Sequence, residues 1–419
     1  MAQAPFHYET QKLVNHLYRQ WNGKMVTSLT RYFGLQQLEV AEDIVHDTFE
    51  TAIQTWETKG IPHEPVNWLF RVCRNKTINL LRKKRFEVVS DAVSLSVDEK
   101  VNLETIFLDH EIRDSQLRMI AACCQFSFSQ KNQLIFILRH VAGLSVRELS
   151  RGLLMTEEAV AKSIVRSKQL IRENNLTFPP PDYQVVVAQL PSIHLILYLL
   201  FNEGYAATEG DSIIRDELCF EAIRLMKLVV DREETATSDS HALLSLFLLH
   251  AARFSAREDL DKRLVDLESQ NRSLWDGEMV QLGRLHFHES IKEKNYSKYQ
   301  LEAAIAFEHS RSESFDLTDW PTILELYTLL AEKEPSQAVW LNWLIAVFYS
   351  KGGLAAFEKL QELDSRNLLP HNQYYFSLLG KIYLSMEDPM LAASCFRQAI
   401  ELTTSLPEKK YLEKLLALL

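Results

Sequence analysis

Residues that turn a chain sharply are scarce here: 12 glycines and 12 prolines are spread over 419 positions. A fold of many short strands needs turn residues at intervals of roughly 8–12 residues, so the shortage argues against a sandwich or barrel. Between the few turns, apolar residues recur at helical spacing. The expected fold class is all-α. Hydrophobic residues make up 47% of the chain, enough for several cores, and the length allows two to four domains. No run of 18 apolar residues occurs, so no membrane span is expected. The N-terminus MAQAPFHYETQKLVNHLYRQW lacks the basic and apolar regions of a secretory signal, which points to a cytoplasmic protein.

Charge is divided unevenly. Residues 1–175 hold 23 basic and 20 acidic side chains; the remainder holds 23 and 36, a net −13. Only the N-terminal part therefore has the balance expected of a partner for nucleic acid. The five cysteines, Cys73, Cys123, Cys124, Cys219 and Cys395, form no C-x-x-C pair. They read as buried free thiols in a reducing compartment, with no zinc site. Glu203, Glu209, Asp211, Glu217 and Glu221 read as caps and surface charge. His286 and His288 beside Glu289 are two apart and do not share a helix face as H-E-x-x-H does. No metal, cofactor or catalytic residue is expected, and the chain does not read as an enzyme.

Residues 8–86 are helical in pattern, and within them two segments stand out. In VAEDIVHDTFETAIQTW (40–56), Ala41, Ile44, Val45, Phe49, Ala52, Ile53 and Trp56 form one apolar face. Asp43, Asp47 and Glu50 fall at i, i+4 and i+7, a single acidic stripe. The next helix, PVNWLFRVCRNKTINLLRKKRF (65–86), carries Arg71, Arg74, Lys76, Arg82, Lys83, Lys84 and Arg85 and no acid. Such dense like charge is naturally compensated by a polyanion. Trp68, Leu69, Val72, Ile78 and Leu81 supply the inward face, and Asn75 and Asn79 offer amides suited to base edges.

Residues 87–112 form an acidic, thinly apolar linker. From 113 to 175 the pattern is helical again. Gly143 ends one helix, and Ser145 with Glu148 makes a capping box for a short second helix that stops at Gly152. Thr156 then caps a longer helix, with Glu157 and Glu158 in its first turn. Val160, Ile164 and Ile171 face inward; Lys162, Ser163, Arg166, Ser167 and Lys168 face out or flank. A short helix, a tight turn and a longer polar-basic helix follow the order of a helix-turn-helix.

At these residues the chain resembles a known family. DIVHDTF followed by NWLFRVCRNKTINLLRKKR is similar to the second conserved region of extracytoplasmic-function sigma factors, group IV of the sigma-70 family. The resemblance implies that Asp43, Asp47 and Glu50 dock on the β′ clamp helices of core RNA polymerase. It implies that Trp68, Arg71, Arg74, Asn75, Lys76, Asn79, Arg82 and Lys83 bind the promoter −10 element as single strand. The loop Lys59–Pro65 lies where the family captures an extruded base, a step that offsets a few kcal/mol of unstacking per base. His46 stands where the family usually has Gln, and Asn79 where it usually has Asp. The helix-turn-helix resembles the fourth region, which docks on the β flap and reads the −35 element as duplex DNA. Its contacts would come from Thr156, Lys162, Ser163, Arg166 and Lys168. The linker between the two would thread the polymerase cleft.

Three prolines in TFPPPD (177–182) close this part. The rest resembles the sigma-factor subgroup with a C-terminal tetratricopeptide-like extension, through LYLLFNEGYAATEGD (197–211), RDELCFEAIRL (215–225), LWD (274–276) and YQLEAAIAFEHS (299–310). A helical domain is expected over 183–290 and repeats over 300–419. The clearest repeat is YYFSLLGKIYLSMEDPMLAASCFRQAIE (374–401), with small Gly380 and Ala392 where two helices approach. Weaker copies precede it near 301–335 and 338–364. The acidic extension reads as regulatory, holding a protein or another part of the chain. The competing reading is a helix-turn-helix regulator that acts without polymerase and uses the repeats as a sensor. The acidic and basic helix pair at 40–86 favours the sigma factor, because a simple repressor has no need of it.

Overall fold

The computed structural model describes residues 4–87, 101–125, 128–153, 155–174, 176–178, 183–205, 216–257, 259, 265–293 and 296–419. The described residues form 20 α-helices and no strand, an all-α fold. They divide into two compact units, Met1–Ile196 and Leu197–Leu419.

The N-terminal unit opens with α1 (Ala4–Phe33), α2 (Leu38–Lys59) and α3 (Pro65–Glu87). Val14, Leu17, Met25, Leu29 and Phe33 of α1 recur at helical spacing and are buried. They pack on the α2 face formed by Ala41, Val45, Phe49, Ala52 and Trp56. Gly34 and Gly60, both at φ 85, end α1 and α2 in a backbone region that side chains disfavour. The third helix meets α2 through a narrow seam, since its fully buried residues are Leu69, Cys73 and Thr77.

The linker does more than the sequence suggests. Val101, Ile106 and Phe107 are buried, and Phe107 stacks on Phe70 of α3 with ring centroids 4.8 Å apart. Three of the four apolar side chains of 101–107 are therefore buried. Residues 88–100 lie outside the described part, as do Pro179–Asp182.

Helix α4 (Asp109–Gln125) packs along α1. Arg31 of α1 pairs with Glu111 at 2.6 Å and Asp114 at 2.8 Å. Helices α5 (Gln130–His140), α6 (Val146–Gly152) and α7 (Glu157–Glu173) then form the helix-turn-helix. Both halves of the capping box at Ser145 and Glu148 are present, and the Thr156 side chain accepts from the Ala159 amide. Gly143 at φ 78 lets the chain leave α5 and enter α6. The short α8 (Tyr183–Ala188) packs on α4.

The two halves of this unit touch backbone to backbone. A Cβ on Gly23 of α1 would lie 2.5 Å from the Val141 carbonyl oxygen and 2.7 Å from the Gly143 amide nitrogen. Thr27, one turn on, donates to the His140 carbonyl at 3.0 Å.

The helix α9 (Leu190–Tyr205) spans the division between the units. The C-terminal unit continues with α10 (Asp216–Val230), α11 (Ser238–Ala251), α12 (Phe254–Arg257) and α13 (Gly277–Ser290). Three helix pairs follow: α14 (Lys298–Arg311) with α15 (Trp320–Lys333), α16 (Gln337–Lys351) with α17 (Gly353–Ser365), and α18 (Gln373–Ser385) with α19 (Pro389–Leu402). Each of the three repeat-like sequence segments folds as one such pair. Helix α20 (Leu406–Ala417) covers the last with Leu412. Phe396 of α19 lies over Gly380 of α18, where a Cβ would come within 2.6 Å of the ring. All five cysteines are buried free thiols.

Gly23→Ala tests the backbone contact. Helix propensity alone would make this change stabilising by about 1 kcal/mol. Here the methyl meets main-chain atoms that cannot step aside, a cost of about 1–3 kcal/mol. Denaturant unfolding of the full chain is expected to show a net loss. Gly277→Ala, whose Cβ meets nothing within 4 Å, should show none.

Candidate nucleic-acid interface

The acidic stripe is where the helical register puts it. Asp43, Asp47 and Glu50 are all exposed on α2, opposite the face that packs on α1. His46 lies in the same stretch, with its ring nitrogen 3.2 Å from the Tyr18 hydroxyl.

The narrow seam under α3 leaves most of that helix outside. Arg71, Asn75, Asn79, Arg82 and Lys83 are exposed; Arg74, Lys76 and Trp68 are half-buried. Trp68 stands edge-on to the buried Trp56, centroids 5.3 Å apart, so part of it belongs to the core. Arg74 is engaged by the linker. It pairs with Glu104 at 3.2 Å and donates to the Glu104 carbonyl at 2.9 Å. The side chains of Lys84 and Arg85 lie outside the described residues.

Acidic and basic sets share one groove of about 390 Å³ between α2 and α3. Asp43 and Asp47 line one wall, and Lys76, Asn79 and Lys83 the other. Lys76 and Asp47 stand 3.9 Å apart across it. At that distance and exposure the pair contributes little to stability, and both groups stay open to other partners. The loop between the helices exposes Ile61, His63 and Glu64, and Glu64 accepts from Asn67 at 3.0 Å.

On α7 the structure divides the expected set. Thr156, Lys162 and Arg166 are exposed; Thr156 also caps the helix, and Lys162 pairs with Glu158 at 2.9 Å. Ser163 and Ser167, expected to face out or flank, are buried instead. Ser163 donates to Asn132 of α5 at 2.7 Å. Their small size, rather than their polarity, decides their side: with Val160, Ile164 and Ile171 they let α7 lie close against its neighbours. The outward stripe is therefore Lys162, Val165, Arg166 and Gln169. Val165, 62% exposed, and Gln169 went unnoticed in the sequence. The buried spacing of Val160, Ile164, Ser167 and Ile171 was the available signal for both.

Lys168 is turned inward as well. Its ammonium donates to Glu42 of α2 at 2.6 Å, and the two side chains are only 18% and 15% exposed. The other Glu42 oxygen lies 3.2 Å from Nδ1 of the buried His140, off the line a good hydrogen bond needs. Burial would raise the Glu42 carboxyl, but His140 and Lys168 outweigh it and hold it at about 2. Burial pushes His140 below its ordinary value despite Glu42. A neutral imidazole leaves Lys168 as the true counterion. Arg172, a turn further on, reaches Glu39 at 3.5 Å. The C-terminal half of α7 is thus clasped to the start of α2.

Comparison with known proteins bears on these same residues. Residues 17–87, which hold α2, α3 and the groove, match the family model Sigma-70 region 2. Residues 189–291 match a family of unknown function, DUF6596. Over 388 residues the chain is 32% identical to uncharacterized protein R00370 of Rhizobium meliloti (strain 1021), covering 92% of this chain and 90% of the relative. No solved structure matches the chain significantly.

Proposed function

From the match of residues 17–87 to sigma-70 region 2, we propose that the chain is a sigma-70 family factor that binds core RNA polymerase, recognises promoters and opens their strands. The observation that carries the reading is the α2–α3 groove. An exposed acidic stripe and an exposed basic helix stand on its two walls. In this proposal Asp43, Asp47 and Glu50 dock on the β′ clamp helices. Arg71, Asn75, Lys76, Asn79, Arg82 and Lys83 hold the −10 element as single strand, with Trp68 offering its free edge to a base and Arg74 joining once Glu104 releases it. Thr156, Lys162 and Arg166, joined by Val165 and Gln169, meet the −35 element in the major groove. Val165 suits a thymine methyl and Gln169 an adenine edge.

The clasp bears on how both elements are read. Their names place them about 25 base pairs apart, about 85 Å of duplex at 3.4 Å per pair. A compact unit of this size has a radius of gyration of about 16 Å and spans about 40 Å. Both elements cannot be held while Gly23 touches the Val141–Gly143 turn, so α1–α3 and α5–α7 separate on the polymerase. Separation frees Lys168 and Arg172 for phosphate contacts. We further assign the C-terminal unit a regulatory role, on the strength of its net acidic charge and its stacked helix pairs.

Three outcomes are expected. Reversing Asp43, Asp47 and Glu50 to Lys should leave thermal stability unchanged, because all three are exposed. It should weaken binding to core polymerase by about 100-fold, as for interfacial charges elsewhere; undiminished binding in a pull-down or titration would refute this face. Glu39→Gln with Glu42→Gln should lower the stability of the N-terminal unit by about 3 kcal/mol while raising affinity for a −35 duplex. Equal or weaker duplex binding at matched salt would show that the clasp does not restrain α7. Truncation after Ile196 should change promoter-specific run-off transcription; identical transcript levels and polymerase affinity would remove the regulatory role.

A further inference from the structure

Some half-buried cations of the C-terminal unit are matched by carboxylates. Lys381 of α18 is one case: Asp266 lies 3.3 Å and Glu268 3.2 Å from its ammonium, with the Tyr349 hydroxyl beside them. Others meet neutral groups, as Arg284 does with Ser310, and three such arginines lie together. Arg253, Arg257 and Arg272 gather where α11, α12 and the turn Arg272–Leu274 come together. Among the described residues none of the three pairs with a carboxylate.

Their partners are neutral. Arg253 donates from Nε to the Gln270 side-chain oxygen at 3.2 Å. Arg257 donates to the Tyr205 carbonyl at 2.8 Å, with its guanidinium 3.9 Å from the centre of the Tyr205 ring. Arg272 donates to the carbonyls of His309 and Ser312 and to the Thr318 hydroxyl. Arg253 and Arg272 share one indole: their guanidinium carbons stand 5.4 and 4.9 Å from the Trp275 ring.

Three further groups around the cluster are left without partners. Nδ1 of His250, Nδ1 of His309 and Nε1 of Trp275 are inaccessible to water and make no hydrogen bond. Burial, then the neighbouring arginines, lowers both histidines, His309 to about 3. Burial and the mutual repulsion of the guanidiniums lower Arg253 and Arg272 too. An arginine does not release its proton at neutral pH, so the repulsion persists until a negative charge arrives. Arg257, Arg272 and Trp275 are partly exposed residues, so an anion can approach the cluster from solution, with the Arg253 guanidinium lying deeper.

We propose that this arginine cluster binds a small phosphate-bearing molecule. Planar guanidinium forks match phosphate oxygens in pairs, and a multiply charged oxyanion answers three cations better than a single carboxylate does. The Tyr205 and Trp275 rings stiffen the forks by stacking. The inference goes beyond the promoter reading and does not rest on it. A bound phosphate with no effect of truncation on transcription would remove the regulatory role and leave the site standing.

The probes are inorganic phosphate and pyrophosphate added to the full chain, with sodium chloride at equal ionic strength and succinate as references. Phosphate or pyrophosphate is expected to raise the Tm by about 5–10 °C at a hundredfold excess over Kd, beyond any effect of chloride. Arg253→Gln is expected to abolish that rise while leaving the Tm without phosphate equal to the wild type's or above it, because one of three repelling charges is gone. Arg257→Lys keeps the charge, loses the fork and should weaken the response. A phosphate response no larger than that of chloride overturns the proposal. So does a full response in both variants, or a response to succinate alone.

Discussion

Glu42 is the side chain on which the N-terminal unit's arrangement turns. Its carboxylate is nearly buried, a position that costs several kcal/mol unless a counterion and hydrogen bonds come with it. Lys168 supplies the charge at 2.6 Å, and His140 closes the other side. These partners lie on α7 and α5, so one carboxylate on α2 fastens the helix-turn-helix to the first three helices. Around it the contact is small and hard. Gly23 and the Val141–Gly143 turn meet main chain to main chain, and Thr27 donates to the His140 carbonyl. Backbone contact of this kind has one fitting geometry and no soft side chains to absorb a shift. The interface is therefore poised to hold fully or to part fully.

That arrangement sorts the basic residues into two groups. Arg71, Arg82 and Lys83 of α3, with Lys162 and Arg166 of α7, remain at the surface. Lys168, Arg172 and Arg74 are engaged by Glu42, Glu39 and Glu104. Each engaged cation faces a carboxylate from elsewhere in the chain, on α2 or in the linker. Asp43, Asp47 and Glu50 thus form an exposed stripe, whereas Glu39, Glu42 and Glu104 each face a basic side chain.

Much of this was legible in advance and some was not, for definite reasons. The acidic stripe followed from period alone, because Asp43, Asp47 and Glu50 are large charged groups with no alternative to water. The capping box at Ser145 and Glu148 and the cap at Thr156 were equally plain, since each is a local hydrogen-bond pattern. Ser163 and Ser167 misled because a serine is read as polar before it is read as small. Burying one needs only a single acceptor, which Asn132 provides for Ser163. The linker misled in the opposite way: its acids hid Val101, Ile106 and Phe107, which are buried. Lys168 was unreadable in principle. Its partner lies 126 positions away, and no local pattern links them.

The same limit governs the arginines of the C-terminal unit. Arg253, Arg257 and Arg272 are scattered among ordinary helix residues in the sequence, and a net −13 over residues 176–419 conceals them. Only the fold shows that none of the three pairs with a carboxylate among the described residues. It also supplies its own standard, since Lys381 is matched by Asp266 and Glu268 within the same unit. A protein that can place two carboxylates beside one lysine is not short of acids. Leaving three guanidiniums and two imidazoles without any among the described residues lowers stability. Such a deficit is typical of a surface shaped for something outside the chain, because a resident carboxylate would compete with an incoming anion for the same forks.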